Sequence, residues 1–387
     1  MARRKNITLF FEYFSQINFY KDPFLVPYYL GKTLDYDATI LYPNNEENIN
    51  LPKEHRGVRL IPFDLPEPDA LQPQVKFRNA IKYVSIHAKE IDVLMLFFGG
   101  AKSEPFAEVY KKENPLGKIY VKLDIEPYGI RDIRELPLWK RYLSWGRAYL
   151  QRRKFFNRLD VVSCETTLAY NKLSSHLVPY FNFGKKLMIV PNGIDEESIE
   201  QIGFGKTDFR QKKNIMLTVG RLGTYQKNTE MLLRALGKVD LKDWLFYMIG
   251  SVEEDFLSVK EKFMSEHPSL ADKLIWKGPV SDRKELYGYY SEAKVFVLPS
   301  RYEGYAIVFS EAQRFGDYII STPVGAATDV VAGGKYGEIV DVDDSDRLAD
   351  AVQKVIDGDT NVNVYDDFDI GTLSWRFRVE KLAKRLK

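Results

Sequence analysis

Cysteine occurs once and histidine four times in 387 residues. One cysteine excludes a disulfide framework and any structural zinc site built from cysteine pairs, and it fits a reducing compartment. His55, His87, His176 and His267 are scattered, with no spacing that suggests a zinc motif. The longest strongly apolar run, Val93 to Ala101, is far short of the ~20 residues that cross a bilayer. Near the N-terminus the apolar stretch is broken by Glu12 and has no small-residue cleavage site, so no signal peptide is expected. Neither G-x-S-x-G nor G-x-x-x-x-G-K-[ST] occurs, which argues against serine hydrolases and P-loop enzymes. An excess of one charge is missing too: 56 Lys and Arg against 54 Asp and Glu leave a net +2. What is present is ordinary globular material, 45% hydrophobic and 28% charged, which excludes disordered and collagen-like classes. The unusual quantity is aromatic content, 14% of the chain.

A length of 387 residues against ~100–200 per domain predicts two domains. Short apolar runs bounded by turn signals alternate with amphipathic stretches of helical length, the pattern of parallel sheets with crossover helices. Strands are expected at Asn6–Phe11, Ala38–Tyr42, Val58–Pro62, Val93–Phe98, Ile119–Leu123 and Val161–Cys164. They recur at Ile215–Val219, Trp244–Ile249, Leu274–Lys277, Val295–Leu298, Tyr318–Ser321 and Gly337–Val340. Helices are expected at Val75–Lys89 and Arg134–Arg158, among others. The polar, period-free stretch from Val190 to Lys213 marks a boundary. The expected fold class is therefore α/β with two Rossmann-like domains, at 1–190 and 191–370. The basic amphipathic segment 371–387 is expected to be a helix that packs back on the first.

Two strand ends carry the chemistry. After Val295–Leu298 a loop bears Glu303 and Gly304, and a helix is expected from about Tyr305. Ligands of open α/β sheets bind beyond the carboxyl ends of strands, and free N–H groups of a helix start suit an anion. Glu303 and Glu311, eight residues apart, would lie two turns apart on one helix face. Carboxylates there accept hydrogen bonds from sugar and ribose hydroxyls, so the pattern suggests a nucleotide-sugar; the plainer reading of such a pair is two solvated glutamates. After Ile215–Val219 come Gly220, Arg221 and Lys227, two cations able to neutralise a diphosphate, or else ordinary surface charges. DxD-like strings at Asp341–Asp343, Asp357–Asp359 and Asp367–Asp369 lie among ten aspartates and are read as solvated loops and helix starts, with no metal site expected.

The GRL before Lys227, the PSRYEGYAIVFSEA block with its acid-x7-acid spacing, STPVGA, GEIV and the boundary VPNGID together resemble the C-terminal half of retaining glycosyltransferases of family 4. The resemblance implies the GT-B fold, two Rossmann-like domains facing a cleft, and transfer of a hexose-type sugar with retention from a UDP- or GDP-sugar to a hydroxyl of a glycan or lipid-linked acceptor. It implies no obligatory metal and no other cofactor. Arg221 and Lys227 would hold the donor diphosphate, and Glu303 the donor sugar. The backbone of Gly304, Tyr305 and Ala306 would hold sugar and phosphate, and Glu311 the ribose. Gly220 and Asn192 belong to the matching blocks, and Lys277 to Val280, with Gly278 among them, would lie against the base. Two departures fall in the first half. Ser15 and Gln16 stand where many members have a glycine-rich loop, and Asp124 or Lys122 stands near where many have a histidine. The alternatives are a phosphorylase or epimerase of similar fold, or a non-catalytic partner subunit that binds sugar-nucleotide.

From Arg134 to Arg158 eight basic residues face one acid, Glu135; Trp139, Tyr142, Leu143, Tyr149 and Leu150 recur at helical spacing, and Trp145, Phe155 and Phe156 add bulk. Basic helices with interfacial aromatics lie on anionic membrane surfaces, so peripheral attachment of a cytoplasmic protein is one expectation. The other is an ordinary helix of the first domain. No nucleic-acid motif accompanies the patch, and nucleic acid is not expected as a partner.

Overall fold

A computed structural model describes residues 3–46, 48–130, 137–139, 153–174 and 183–387. The chain divides into two units, one made of Met1–Asp195 with Ser374–Lys387, the other of Glu196–Leu373.

The first unit is built on an eight-stranded sheet in the order β3-β4-β2-β1-β5-β6-β7-β8. Its strands are β1 (Asn6–Phe10), β2 (Asp37–Pro43), β3 (Glu54–His55), β4 (Val58–Phe63), β5 (Val93–Phe97), β6 (Lys118–Lys122), β7 (Val161–Cys164) and β8 (Leu187–Ile189). All neighbours pair in parallel except β3 with β4. β1 and β5 are buried at every position, as strands covered on both faces must be, and so they read as continuous apolar runs. The helix Asp22–Leu34 opens with a proline in its first turn, is buried along most of its length and ends at Asp35 in the left-handed region. It packs against the helix Trp375–Leu386. Trp375, Val379, Leu382, Ala383 and Leu386 share one core with Phe24, Tyr29 and Leu30, so the last helix is an integral part of the first unit.

The second unit carries a six-stranded parallel sheet in the order β11-β10-β9-β12-β13-β14. Its strands are β9 (Ile215–Val219), β10 (Leu245–Ile249), β11 (Leu274–Gly278), β12 (Val295–Leu298), β13 (Tyr318–Ser321) and β14 (Gly337–Ile339). Lys212, ahead of β9, and Asp317, just before β13, are both essentially inaccessible to water and form an ion pair 2.5 Å long. Burial pushes the Asp317 carboxyl up to about 7, against the opposing pull of Lys212.

Where the chain passes from one unit to the other, two consecutive carboxylates are each held by their own unit. Asp195 accepts a hydrogen bond from Tyr29 at 2.5 Å and pairs with Arg56. Glu196 takes a bidentate bond from the buried Arg314, at 2.6 to 2.9 Å.

Several expectations shift in detail. The helix foreseen over Val75–Lys89 breaks at Phe77 into Pro73–Lys76 and Arg78–His87, because the buried Phe77 leaves the helical region to enter the core. Of the basic aromatic stretch, 137–139 and 153–158 are described, the latter helical; Leu138 and Trp139 are exposed. Arg134, Lys140, Arg141, Tyr142, Leu143, Trp145, Arg147, Tyr149, Leu150 and Arg152 lie outside the described residues.

Candidate functional site

In the second unit the chain runs from β9 outward to β10 and β11, then returns to the other side of β9 as β12. The loops after β9 and β12 therefore diverge, and a crevice opens between them at the carboxyl ends of the strands. Lys227 comes from the first loop and Glu303 from the second. Lys227 Nζ lies 2.6 Å from Glu303 Oε1, with the two side chains 16% and 8% exposed. Ser300 Oγ donates to the same oxygen at 2.8 Å, and Gln226 Nε2 to Glu303 Oε2 at 3.2 Å. Gln226 also accepts from Arg221 at 3.4 Å. Arg221 itself is exposed, so one cation is spent on a buried carboxylate and the other faces solvent beside it.

The backbone around this pair is crowded. A Cβ on Gly220 would come within 3.0 Å of the Lys227 stem, and one on Gly250 within 1.7 Å of the Gly220 carbonyl oxygen. Gly250 in turn donates to the Gly278 carbonyl at 2.8 Å, which brings the end of β11, and with it Gly278 and Val280, to the same edge as Gly220. Gly325, at φ +53°, passes so close that a Cβ would sit 2.9 Å from both Glu303 Cβ and the Tyr305 carbonyl oxygen.

Glu303 does not lie on a helix, in contrast to the spacing argument. The helix runs Val308–Phe315 and begins three residues later than expected. Ala306 stands at φ +64°, and Ala326 donates to the Tyr305 carbonyl at 3.2 Å. That irregular turn, braced on the loop after β13, delays the first helical turn. Tyr305 points inward, its hydroxyl 2.9 Å from Ser310 Oγ, which leaves the loop's backbone as its contribution to the surface.

Glu311 is buried in a separate network. Arg283 bonds one carboxylate oxygen at 3.0 Å and Tyr290 donates to the other at 3.1 Å. Burial, with Glu311 next, raises the Tyr290 hydroxyl well above its ordinary range. Gln226, Ser300, Arg283 and Tyr290 were not anticipated from sequence. Gln226, adjacent to Lys227, and Ser300, inside the PSRYEGYAIVFSEA block, had a positional signal.

The DxD-like strings are engaged with protein groups. Asp343 pairs with Arg301 at 2.7 Å and accepts from Asn228 at 2.9 Å; Asp357 pairs with Lys242 at 2.6 Å; Asp369 accepts from Gly371. Among the described residues no group of three or more His, Cys, Asp or Glu is placed to hold a metal ion.

Ser15, Gln16, Asp124 and Asn192 belong to the first unit. Ser15 caps the short 3-10 helix Gln16–Tyr20 through Asn18, whose side-chain oxygen accepts from the Ser15 backbone at 2.7 Å; Gln16 is exposed. Asn192 is buried. Asp124 follows β6 and keeps contact with water. Its carboxyl is nevertheless raised by the surrounding protein, with Lys122 opposing and Asp22 reinforcing, as for a group set in a concave surface. Beneath it the fully buried Lys122 pairs with Asp22 at 2.9 Å and with Glu165. Burial pushes Glu165 up to about 7 although Lys122 pulls it down.

Residues 200–368 match the family described as glycosyl transferases group 1. The chain is 24% identical over 250 residues to the capsular polysaccharide biosynthesis glycosyltransferase CapM of Staphylococcus aureus, a match covering 61% of this chain and 62% of that protein, under two thirds of its length. Among solved structures it resembles the apo form of the lipopolysaccharide outer core galactosyltransferase WaaB, with a TM-score of 0.68 at 15% identity over 98% of this chain and 99% of that one. It also resembles Anabaena Alr3699/HepE in complex with UDP-glucose, with a TM-score of 0.62 at 13% identity over 98% of both chains. The second unit thus carries a match to the glycosyl transferases group 1 over residues 200–368, within a chain that has the two-unit GT-B fold.

Proposed function

We propose that this protein is a retaining glycosyltransferase of polysaccharide or lipopolysaccharide assembly, moving a hexose-type sugar from a UDP- or GDP-sugar to a hydroxyl of a glycan or lipid-linked acceptor. The observation that carries this is the Lys227–Glu303 pair across the loops after β9 and β12, with Arg221 beside it and the bare backbone of Gly220 beneath. Backbone without side chains and two cations suit a diphosphate. When the sugar–phosphate bond breaks, its electron pair leaves with the diphosphate, and Lys227 and Arg221 meet the developing charge. These cations take the role that a divalent metal has in other transferases, so the reaction is proposed to need none, and turnover in EDTA should match turnover without it. Glu303 accepts from hydroxyls of the donor sugar, and the backbone of Gly304 to Ala306 lies along sugar and phosphate. Glu311, oriented by Arg283 and Tyr290, takes the ribose hydroxyls, and Gly278 to Val280 border the base.

The acceptor is assigned to the first unit, where Asp124 and the loop through Ser15 and Gln16 lie at carboxyl ends of strands. No described helix is long and apolar enough to cross a membrane. The basic stretch 134–158 is proposed to rest on an anionic membrane surface at the cytoplasmic face. Sedimentation with anionic vesicles tests this, and binding unchanged by neutralising Arg152, Arg153 and Lys154 would overturn it.

The activity is tested by incubating the purified chain with UDP-, GDP- and ADP-sugars, following release of nucleoside diphosphate and the melting temperature, which a ligand selective for the folded state raises. One nucleotide series should raise melting and be turned over. No shift with any nucleotide would refute the donor site.

A further inference from the structure

The first unit has its own point of reversal. From β1 the chain steps to β2 on one side and later returns to β5 on the other, so the loops after β1 and β5 diverge just as those after β9 and β12 do. This crevice too is bridged by a Lys–Glu pair, with the partners exchanged. Glu12 follows β1 and Lys102 follows β5, 2.5 Å apart. Lys76 reaches the other Glu12 oxygen at 3.1 Å. Burial alone would raise Glu12, but Lys102 and Lys76 outweigh it and hold the carboxyl below its usual range, so the pair is ionised near neutral pH.

The linings differ. The second unit's crevice is floored by glycine backbone. The first unit's presents large apolar side chains to water: Tyr13 is 60% exposed, Ile17 57% and Phe98 40%. Tyr13 is fixed in place, its hydroxyl accepting from Lys102 at 3.1 Å and its ring edge-on to Phe11 at 6.4 Å. Phe98 stands at φ +62°, in the left-handed region that sterically disfavours a bulky L-residue. Two bonds hold it there: its N–H donates to the Lys122 carbonyl at 3.0 Å, and Ser103 Oγ donates to its carbonyl at 2.6 Å. Backbone strain maintained by specific bonds, with an aromatic ring left in solvent, points to a ligand-facing role.

We propose that the crevice between the loops after β1 and β5 is a subsite for a pyranose ring of a glycan acceptor, stacked on Tyr13 and Phe98 with its hydroxyls on Glu12 and Lys102. Aromatic faces suit the apolar C–H face of a sugar, while a carboxylate beside an ammonium offers both an acceptor and a donor to neighbouring hydroxyls. A diphosphate would meet Glu12 and rings where it needs bare N–H groups. That the ring belongs to the acceptor rests on the function proposed above; that a sugar binds here does not.

Saturation-transfer NMR on the full chain with the methyl glycosides of glucose, galactose and mannose tests it. At least one glycoside should show saturation of its ring protons. Tyr13→Ala should weaken the signal about five- to tenfold, the size of an aromatic contact, and Glu12→Gln should also weaken it. Phe98→Gly relieves the backbone strain and so keeps the melting temperature, yet should weaken the signal equally. The melting shift given by the nucleotide should persist in every variant. Loss of that shift in the parent chain would fell the donor site and leave this subsite standing. Absence of saturation with all three glycosides, saturation undiminished in both Tyr13→Ala and Phe98→Gly, or displacement by inorganic phosphate would each overturn the proposal.

Discussion

Replacing Lys227 by Met keeps most of the stem and removes the charge. In the parent, Lys227 Nζ is 2.6 Å from Glu303 and both side chains are largely buried. The substitution leaves Glu303 with Ser300 at 2.8 Å and Gln226 at 3.2 Å. A buried charge stripped of its partner costs about 3–5 kcal/mol. Here two neutral donors remain, so the loss should be nearer the ~1.5–3 kcal/mol of one hydrogen bond to a charged group. For a unit the size of Glu196–Leu373, ~1 kcal/mol moves the melting temperature by about 2–4 °C, which gives a drop of about 3–12 °C. The effect on turnover should be larger. Losing one preorganised charge at a developing anion costs about 10²–10³-fold in kcat. Adding Glu303→Gln separates the two effects: it removes the unpaired carboxylate and should restore most of the melting temperature, while nucleoside diphosphate release stays low. If Lys227→Met melts lower as expected yet turns over within about threefold of the parent, Lys227 is a brace and not a diphosphate ligand. Recovery of activity in the double variant would say the same.

Arg283→Ala removes the 3.0 Å bond to Glu311 and leaves Tyr290. Steady-state kinetics should show donor KM raised about five- to twentyfold with kcat nearly unchanged, the pattern of lost ground-state binding. Gly325→Ala puts a methyl carbon 2.9 Å from Glu303 Cβ at a φ of +53°. It should cost about 1–3 kcal/mol in urea unfolding and abolish turnover in protein that is still folded. Asp317, pushed up to about 7, keeps its proton in the folded state where the unfolded chain has lost it. The parent should therefore lose stability as pH rises from about 4 to about 7, and Asp317→Asn should flatten that slope in urea melts across the window.

The strands were largely legible because burial on both faces makes each a continuous apolar run. Val161–Cys164, Val295–Leu298 and Tyr318–Ser321 fall where the sequence places them. The misses have physical causes. Glu54–His55 and Leu187–Ile189 are too short to show a period. The helix after Glu303 starts late because Tyr305 is tied to Ala326, twenty-one residues further on, a constraint invisible to local propensity. Lys227 and Glu303 could be singled out separately, but their pairing could not, since it depends on which strand lies beside β9. The Glu12–Lys102 bridge was missed for the same reason: it spans 90 residues and exists only because β1 and β5 are neighbours. Arg283 and Tyr290 meet Glu311 across 28 and 21 residues, and nothing near Glu311 announces them.

That Ser374–Lys387 completes the first unit has a consequence for biosynthesis. The second unit is one unbroken segment from Glu196 to Leu373 and is translated in full before the residues that finish the first. At ~5–20 residues per second this is a wait of about 10–35 s. Throughout it, the helix Asp22–Leu34 has no Trp375, Val379 or Leu386 to cover it. The first unit thus matures on the ribosome only after the second, and its uncovered apolar face is where a nascent chain would recruit a chaperone or aggregate.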